Sequence, residues 1–343
     1  MHPMAPESAG RQPPGGSSPA GGGTACPDGL TVPSPTLACP PQPAPGAGGG
    51  AVPAPELGPD CWFLSGPTAA GKTSLAVRLA ERLGAEIVSV DSMAVYRGLD
   101  IGTAKPSPPE QQRVPHHLLD IVAPAEPFNV VRWLAAAAVA VHAIRSRGRS
   151  ILFVGGTPLY LRALRDGLAD LPAADPDLRR DLRLQAATAA PGELHRRLLQ
   201  IDPAAANRIH PNDTRRIVRA LEVAECSGRP LSAAFAPAPH PVFAEQLMVI
   251  DLPRHLLRDR IDRRVEQMFA AGLIEETRRA AAAPGGIGPT AGQAAGYAEA
   301  LGVLAGTLSV AEAIGLTQQR TRQLAKRQLT WLRSFPGAVW ITA

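Results

Sequence analysis

The sequence predicts an α/β protein: a P-loop NTPase-like parallel sheet flanked by helices, with a helical domain inserted into it. Three observations carry this expectation. Short apolar runs alternate with helical patterns along most of the chain. One such run leads directly into the glycine-rich octapeptide Gly66–Thr73, GPTAAGKT. A stretch rich in arginine and without a convincing strand interrupts the alternation.

The chain has 343 residues, and residues 1–57 stand apart from the rest. They hold 14 of the 36 prolines and 11 of the 33 glycines, with no Trp, Phe or Tyr. Such a segment cannot bury enough apolar surface to offset the entropy of ordering its backbone, so a disordered tail is expected. It has neither the basic start and apolar core of a signal peptide nor the arginines of a transit peptide. A wrongly chosen start codon is the plain alternative.

The first element beyond the tail is the buried strand Cys61–Leu64, followed by the glycine-rich turn. A helix runs from Lys72 to Leu83 with Leu75, Leu79 and Leu83 on one face, and Gly84 ends it. A second strand, Ile87–Val90, delivers Asp91 and Ser92 at its C-terminal end, beside the glycine-rich turn. The longest apolar run, Trp133–Val141, is Ala-rich and far too short to span a bilayer; it reads as a buried helix. A third strand, Ile151–Val154, runs into Gly155, Gly156 and a helix beginning at Pro158. From Asp175 to Cys226 the pattern is helical and Arg-rich. Leu247–Leu252 restores the strand pattern, and helices close the chain, the longest from Val310 to about Arg333. The organisation expected is a tail (1–57), a first part of the core (58–171), a helical insertion (172–245) and a second part of the core (246–343).

The chain carries +5, and the tail's one Arg and three acids contribute −2, so residues 58–343 carry +7. That mild excess is compatible with a polyanionic partner. The four cysteines show no CxxC spacing, which points to neither a zinc site nor a disulfide framework. A cytoplasmic protein, monomeric and without a membrane anchor, is expected.

G-x-x-x-x-G-K-[ST] between a strand and a helix is a phosphate-binding loop. Backbone N–H groups of Gly66, Pro67, Thr68, Ala69, Ala70 and Gly71, proline excepted, surround the ligand, and the helix N-terminus adds partial positive charge. Lys72 supplies a full charge, and Thr73 can ligate Mg²⁺. The loop alone does not say which polyphosphate is bound, and ATP or another nucleotide fits it. Asp91 could orient the metal or take a proton, or could simply shape a turn. Thr157 faces the same sheet edge but sits where an N-cap belongs, with Pro158 at the first helical position. Arg320–Arg333 holds five basic residues and no acid, and reads equally as a solvated helix or as one that follows a nucleic-acid backbone. His116 and His117 are adjacent rather than one helical turn apart, so structural roles fit them better than metal binding.

Beyond the loop, SVDSMAVYRGLDIGTAKP (Ser89–Pro106), PHHLLDI (Pro115–Ile121), VGGTPLYLRAL (Val154–Leu164), RIHPNDTRRIVRALEV (Arg208–Val223) and RQLAKRQLTWLR (Arg322–Arg333) follow in order. Together they closely resemble the bacterial tRNA dimethylallyltransferases from about Cys61 to Trp340. The resemblance implies transfer of a dimethylallyl group from dimethylallyl diphosphate to N6 of the adenosine beside the anticodon, in tRNAs reading codons that begin with U. The loop Gly66–Thr73 would then hold the donor diphosphate, with Arg260 as a further ligand. Asp91 would accept the amino proton, with Lys72 and Thr157 also at the reacting centre. Asp91, Ser92, Met93, Ala94, Thr157, Arg179, Arg215, Arg216, Ile217, Val218 and Arg219 match positions that contact the tRNA anticodon stem-loop. The chain departs from the common pattern at Ala94, often Gln, at Thr214 and Arg215, which replace Pro-Gln, and at Ala298, often basic. These changes touch base contacts and leave Lys72, Thr73 and Asp91 in place. The competing readings are a small-molecule kinase using ATP, which has no need for AKRQLTW or the Arg-rich insertion, and a nucleic-acid-binding ATPase, which would require nucleic-acid-stimulated ATP hydrolysis.

Overall fold

A computed structural model of the chain describes residues 54–169, 171–234 and 246–342. Of the tail expected over residues 1–57, residues 1–53 lie outside the described residues. Leu57, its last member, is already buried against the sheet, so packing begins slightly earlier than composition implied.

In chain order the elements are β1 (Cys61–Ser65), α1 (Lys72–Leu83), β2 (Ala85–Ser89), α2 (Pro108–Arg113), β3 (His116–His117), α3 (Val130–Ser146), β4 (Ser150–Val154) and α4 (Pro158–Asp166). Four helices follow: α5 (Pro176–Thr188), α6 (Glu193–Ile201), α7 (Pro203–Ala206) and α8 (Thr214–Ser227). The chain then returns through β5 (Leu247–Asp251), α9 (Arg254–Ala270), α10 (Leu273–Ala282), α11 (Tyr297–Leu304), α12 (Val310–Leu332) and β6 (Val339–Thr342). Two strands escaped the sequence pattern. β3 has only two residues, and β6 is half exposed, so neither gives a continuous apolar run.

All six strands are parallel, in the order β3-β2-β4-β1-β5-β6. β2 therefore does not neighbour β1; β4 lies between them. Successive residues point to opposite faces of a strand, and the two faces bury separate clusters. Phe63, Val88, Phe153 and Val249 pack on one side with α3 and α4, where the Phe63 and Phe153 rings stack at 5.2 Å. Leu64, Ile87, Leu152 and Ile250 pack on the other with α1 and α9. α1 buries Ala76, Val77 and Ala80, not the leucine stripe that its periodicity picks out; Leu75, Leu79 and Leu83 flank that contact, half-buried. Small side chains let the helix lie close on the sheet, and the leucines fill the edges. The Ala-rich α3 is buried as expected, with Trp133 Nε1 donating to the Ser89 carbonyl at 3.0 Å.

Helices α5–α8 form a third cluster around Leu182, Leu198, Ile217 and Leu221, which contains no sheet residue. No described helix is long and apolar enough to cross a membrane.

Candidate functional site

The parallel order gathers three loops at one sheet edge. The phosphate loop leaves β1, the Gly155-Gly156-Thr157 turn leaves the adjacent β4, and Asp91 leaves β2 on the far side of β4. They line one cleft of about 580 Å³ that also holds Lys72, Thr73, Ser92 and Ala94.

Glycine is required where these loops approach one another. A Cβ on Gly155 would lie 2.1 Å from the Val90 carbonyl oxygen, and one on Gly156 would lie 2.6 Å from Gln328 Nε2. Gly71 opens α1 in a left-handed conformation (φ 89°) without any side-chain cap, which leaves the helix N-terminus free for an anion. Ala69 also lies at positive φ (63°), a strained setting for a residue with a Cβ. Lys72 Nζ donates to the Gly66 and Pro67 carbonyls at 3.0 and 2.8 Å, folded back on its own loop. Desolvation, assisted by the neighbouring Arg264 cation and opposed by Asp91, pulls its pKa down to about 8.

Asp91 takes the turn-shaping role that the sequence left open, and it stands at the cleft. Its Oδ1 accepts the backbone N–H groups of Met93 and Ala94 at 2.8 and 3.3 Å, which shapes the turn, and the residue lines the cleft as well. Thr157 departs from its alternative reading: it precedes α4 but makes no side-chain cap. Its Oγ1 instead accepts the Ser92 N–H at 3.1 Å, tying the β4 turn to the Asp91 turn.

Other expected residues lie elsewhere. Arg260 is exposed beside Gly71, 3.8 Å from the position of a Cβ there, and is absent from the cleft wall. Arg264, one turn further along α9, does line the cleft; burial lowers its pKa while Asp91 opposes the shift. Sequence reasoning missed it, although four-residue spacing on an Arg-rich helix could have pointed to it. Arg215 and Arg216 are exposed on α8. Ile217 and Val218, expected to touch tRNA, are each 2% exposed within the helical cluster, because they occupy the apolar face of α8. Arg179 and Arg219 both pair with the fully buried Glu222 at 2.8 Å and keep about 30% of their surface.

The remaining quoted strings are mostly scaffold. The buried Glu276 carboxylate accepts the backbone N–H groups of Asp100 at 3.0 Å and Ile101 at 2.9 Å, and the Tyr297 hydroxyl at 2.6 Å. It thus anchors the loop that brings Thr103 and Ala104 to the cleft. Lys105 is enclosed by the Tyr96 carbonyl, Asp100 and Asp120. His117 is buried against Glu86, which also pairs with Arg147, and this fits the structural role expected of it. His116 hydrogen-bonds the Val114 carbonyl oxygen and reaches the cleft wall, and burial lowers its pKa.

No group of three or more His, Cys, Asp or Glu side chains suited to a metal occurs among the described residues. The cleft wall does offer hard oxygen donors, among them the Thr73 hydroxyl and the Asp91 and Glu110 carboxylates. Such donors suit Mg²⁺, which commonly takes one or two protein oxygens and completes its shell with phosphate and water.

Comparison with known proteins gives a consistent picture. The IPP transferase family pattern matches residues 94–335, and the Isopentenyl transferase pattern matches residues 59–120. The chain is 50% identical over 284 residues to a tRNA dimethylallyltransferase of Anaeromyxobacter dehalogenans, covering 81% of this chain and 93% of the relative. It is 47% identical to one of Geobacter metallireducens, with 81% and 91% covered. Among solved structures, the tRNA isopentenylpyrophosphate transferase of Bacillus halodurans is 40% identical, with a TM-score of 0.58 and coverage of 82% and 89%. A eukaryotic dimethylallyltransferase captured acting on tRNA is 27% identical, with a TM-score of 0.65 and coverage of 82% and 73%.

Proposed function

The chain belongs to the IPP transferase family, that of the tRNA dimethylallyltransferases, and from that membership we propose how its cleft performs the transfer. The protein is a prenyl transferase. It moves a dimethylallyl group from dimethylallyl diphosphate to N6 of the adenosine on the 3′ side of the anticodon, in tRNAs reading codons that begin with U. The products are N6-isopentenyladenosine and diphosphate. The observation that carries the site assignment is the convergence of the phosphate loop, Thr157 and Asp91 on one cleft.

The C1–O bond of the donor breaks and the N6–C1 bond forms. The N6 proton passes to Asp91, and the electron pair of the broken bond leaves on diphosphate. An exocyclic amine is a weak nucleophile, because its lone pair is delocalised into the ring, so alignment and a nearby base both matter. Oδ1 of Asp91 is held by two backbone N–H groups, which orients the carboxylate and leaves Oδ2 for the proton. Charge growing on the leaving diphosphate would meet the loop amides, Arg264 and Lys72, the last once its Nζ turns from the Gly66 and Pro67 carbonyls. Arg260 stands outside the cleft wall, beside the loop, as an outer cation. Thr157 Oγ1 accepts the Ser92 N–H and donates to Ser92 Oγ over a long 3.5 Å, a weak bond that the base or the diphosphate could replace. Mg²⁺, held by Thr73, would supply further neutralisation of the leaving group.

The target adenine must leave its stack to reach such a cleft. Ser92, Met93 and Ala94 lie where they could meet it, and the exposed Arg215 and Arg216, with the outer faces of Arg179 and Arg219, offer phosphate contacts of the anticodon stem-loop. Ile217 and Val218 support that helix from within. The protein acts in the cytoplasm as a monomer. Incubation with Mg²⁺, dimethylallyl diphosphate and unmodified tRNA should yield N6-isopentenyladenosine by nucleoside mass spectrometry. Its absence, or phosphate transfer from labelled ATP instead, would refute the reading.

A further inference from the structure

Gln328, on the longest helix, α12, reaches the phosphate loop although nothing in the transfer chemistry calls for it. The residue is 7% exposed. Its Oε1 accepts the Thr68 N–H at 2.9 Å, and its Nε2 donates to the Gly156 carbonyl at 2.7 Å. Both partners are backbone groups of fixed character, one donor and one acceptor, so the amide has a single satisfying orientation. Thr68 belongs to the phosphate loop, and Gly156 immediately precedes Thr157. Gly156 is bare where the amide arrives, since a Cβ there would lie 2.6 Å from Nε2.

We propose that Gln328 is a positioning residue for the transfer, setting the phosphate loop at a fixed distance from the turn that presents Thr157. This rests on the function proposed above. The side chain does not react. It ties the loop that holds the leaving group to the turn that faces the accepting base, from an element remote from both in sequence. Other contacts hold the same turn: Ser65 Oγ donates to the Gly155 carbonyl at 2.8 Å, and the Thr157 N–H donates to the Val90 carbonyl at 3.2 Å. These anchor it to the strands beneath, whereas Gln328 is the side chain that spans from this turn to the phosphate loop.

Glutamine suits this task for a reason that can be tested. A carboxylate at 328 would still accept from Thr68 but would oppose the Gly156 carbonyl with a second acceptor. A protonated carboxyl could serve both partners again. The test compares the wild type, Gln328→Glu and Gln328→Met with dimethylallyl diphosphate and tRNA between about pH 5.5 and 8.5, with rates referred to wild type at each pH. Lys72, Asp91, His116, Glu110, Arg264 and Arg327 also face the cleft; they are common to all three proteins, so the ratio removes their titration to first order. At pH 8, Gln328→Glu should lose about 10- to 100-fold in kcat/KM for the donor, shared between kcat and donor KM, the scale expected when reacting groups are misplaced. Affinity for tRNA, read by gel shift, should stay within about twofold, because no base or backbone contact is removed.

Lowering the pH should bring Gln328→Glu back towards wild type, whereas Gln328→Met should stay impaired throughout. Binding of pyrophosphate to the free enzyme, read by calorimetry, should weaken in parallel at high pH. A deficit in Gln328→Glu that does not change with pH would overturn the proposal. So would a Gln328→Met enzyme with unchanged kcat and donor KM and only a lower melting temperature. If Gln328→Met does not fold, the pH series on Gln328→Glu decides. A wild type that makes no prenylated nucleoside refutes the proposed function instead, while an active wild type matched by both variants refutes the positioning role alone.

Discussion

Lys72 shows how a single side chain turns burial into a measurable dependence. Free of ligand, it titrates near 8 because desolvation and the adjacent Arg264 disfavour its charge. A bound diphosphate restores that charge, so binding takes up a proton once the pH exceeds about 8. Pyrophosphate affinity should therefore fall by up to about tenfold per pH unit above 8, relative to a Lys72→Arg variant whose guanidinium does not titrate there. Calorimetry in buffers of different ionisation enthalpy would count the proton; no uptake above pH 8 would contradict the shift. The ligand-free fold follows the same linkage with its own sign. Between about 8 and 10.5 the unfolded chain keeps a proton that the fold releases, so this lysine makes the fold more stable as the pH rises through that window. For Asp91→Ala, turnover should fall far more than tRNA affinity, at least about 100-fold for a lost general base. A collapse of binding with normal residual chemistry would assign Asp91 to the turn alone. Lys72, Thr73 and Asp91 were legible from the sequence because charge and position in a strand–loop–helix context announce them. Arg264 and Gln328 were not, since nothing local distinguishes them from other polar residues of a helix until α9 and α12 are docked.

Among the elements, the loop after β2 depends on a group remote in sequence. Its N–H groups at Asp100 and Ile101 converge on the buried Glu276, which also receives the Tyr297 hydroxyl. Glu276→Gln replaces one accepting oxygen with an NH₂ facing donors. The expected loss is about 2 kcal/mol or more, read as a lower urea midpoint. Because Thr103 and Ala104 line the cleft, donor KM should rise with it; a variant of normal stability would refute the anchoring role. The string DIGTAKP drew attention by resemblance, yet its physical partner lies on α10, some 175 residues later, and no spacing rule reaches that far. The opposite happened on α1. The leucine stripe was legible, but the surface actually buried is Ala76, Val77 and Ala80. Periodicity finds the apolar face and not the depth to which each residue sinks.

At the scale of the whole molecule, the helices α5–α8 carry their own apolar cluster, while the exposed charge on α8 faces outward at Arg215 and Arg216. Replacing both by Ala should weaken tRNA binding for all substrates alike and reduce the slope of log affinity against log salt by about one to two. Filter binding from about 50 to 200 mM salt measures this, and an unchanged slope would place the tRNA backbone elsewhere. The parallel α/β class and the helical character of this region could be read from apolar runs and Arg-rich texture. The strand order could not, because it depends on crossovers that leave no local mark. That order also has a consequence in time. β1 and β2 are made before β4, so each must wait for β4 to fill the space between them, and the amide that joins the two loops belongs to a helix made later still. A nascent chain thus displays every residue of the phosphate loop long before α12 brings the Gln328 amide that ties this loop to the Thr157 turn.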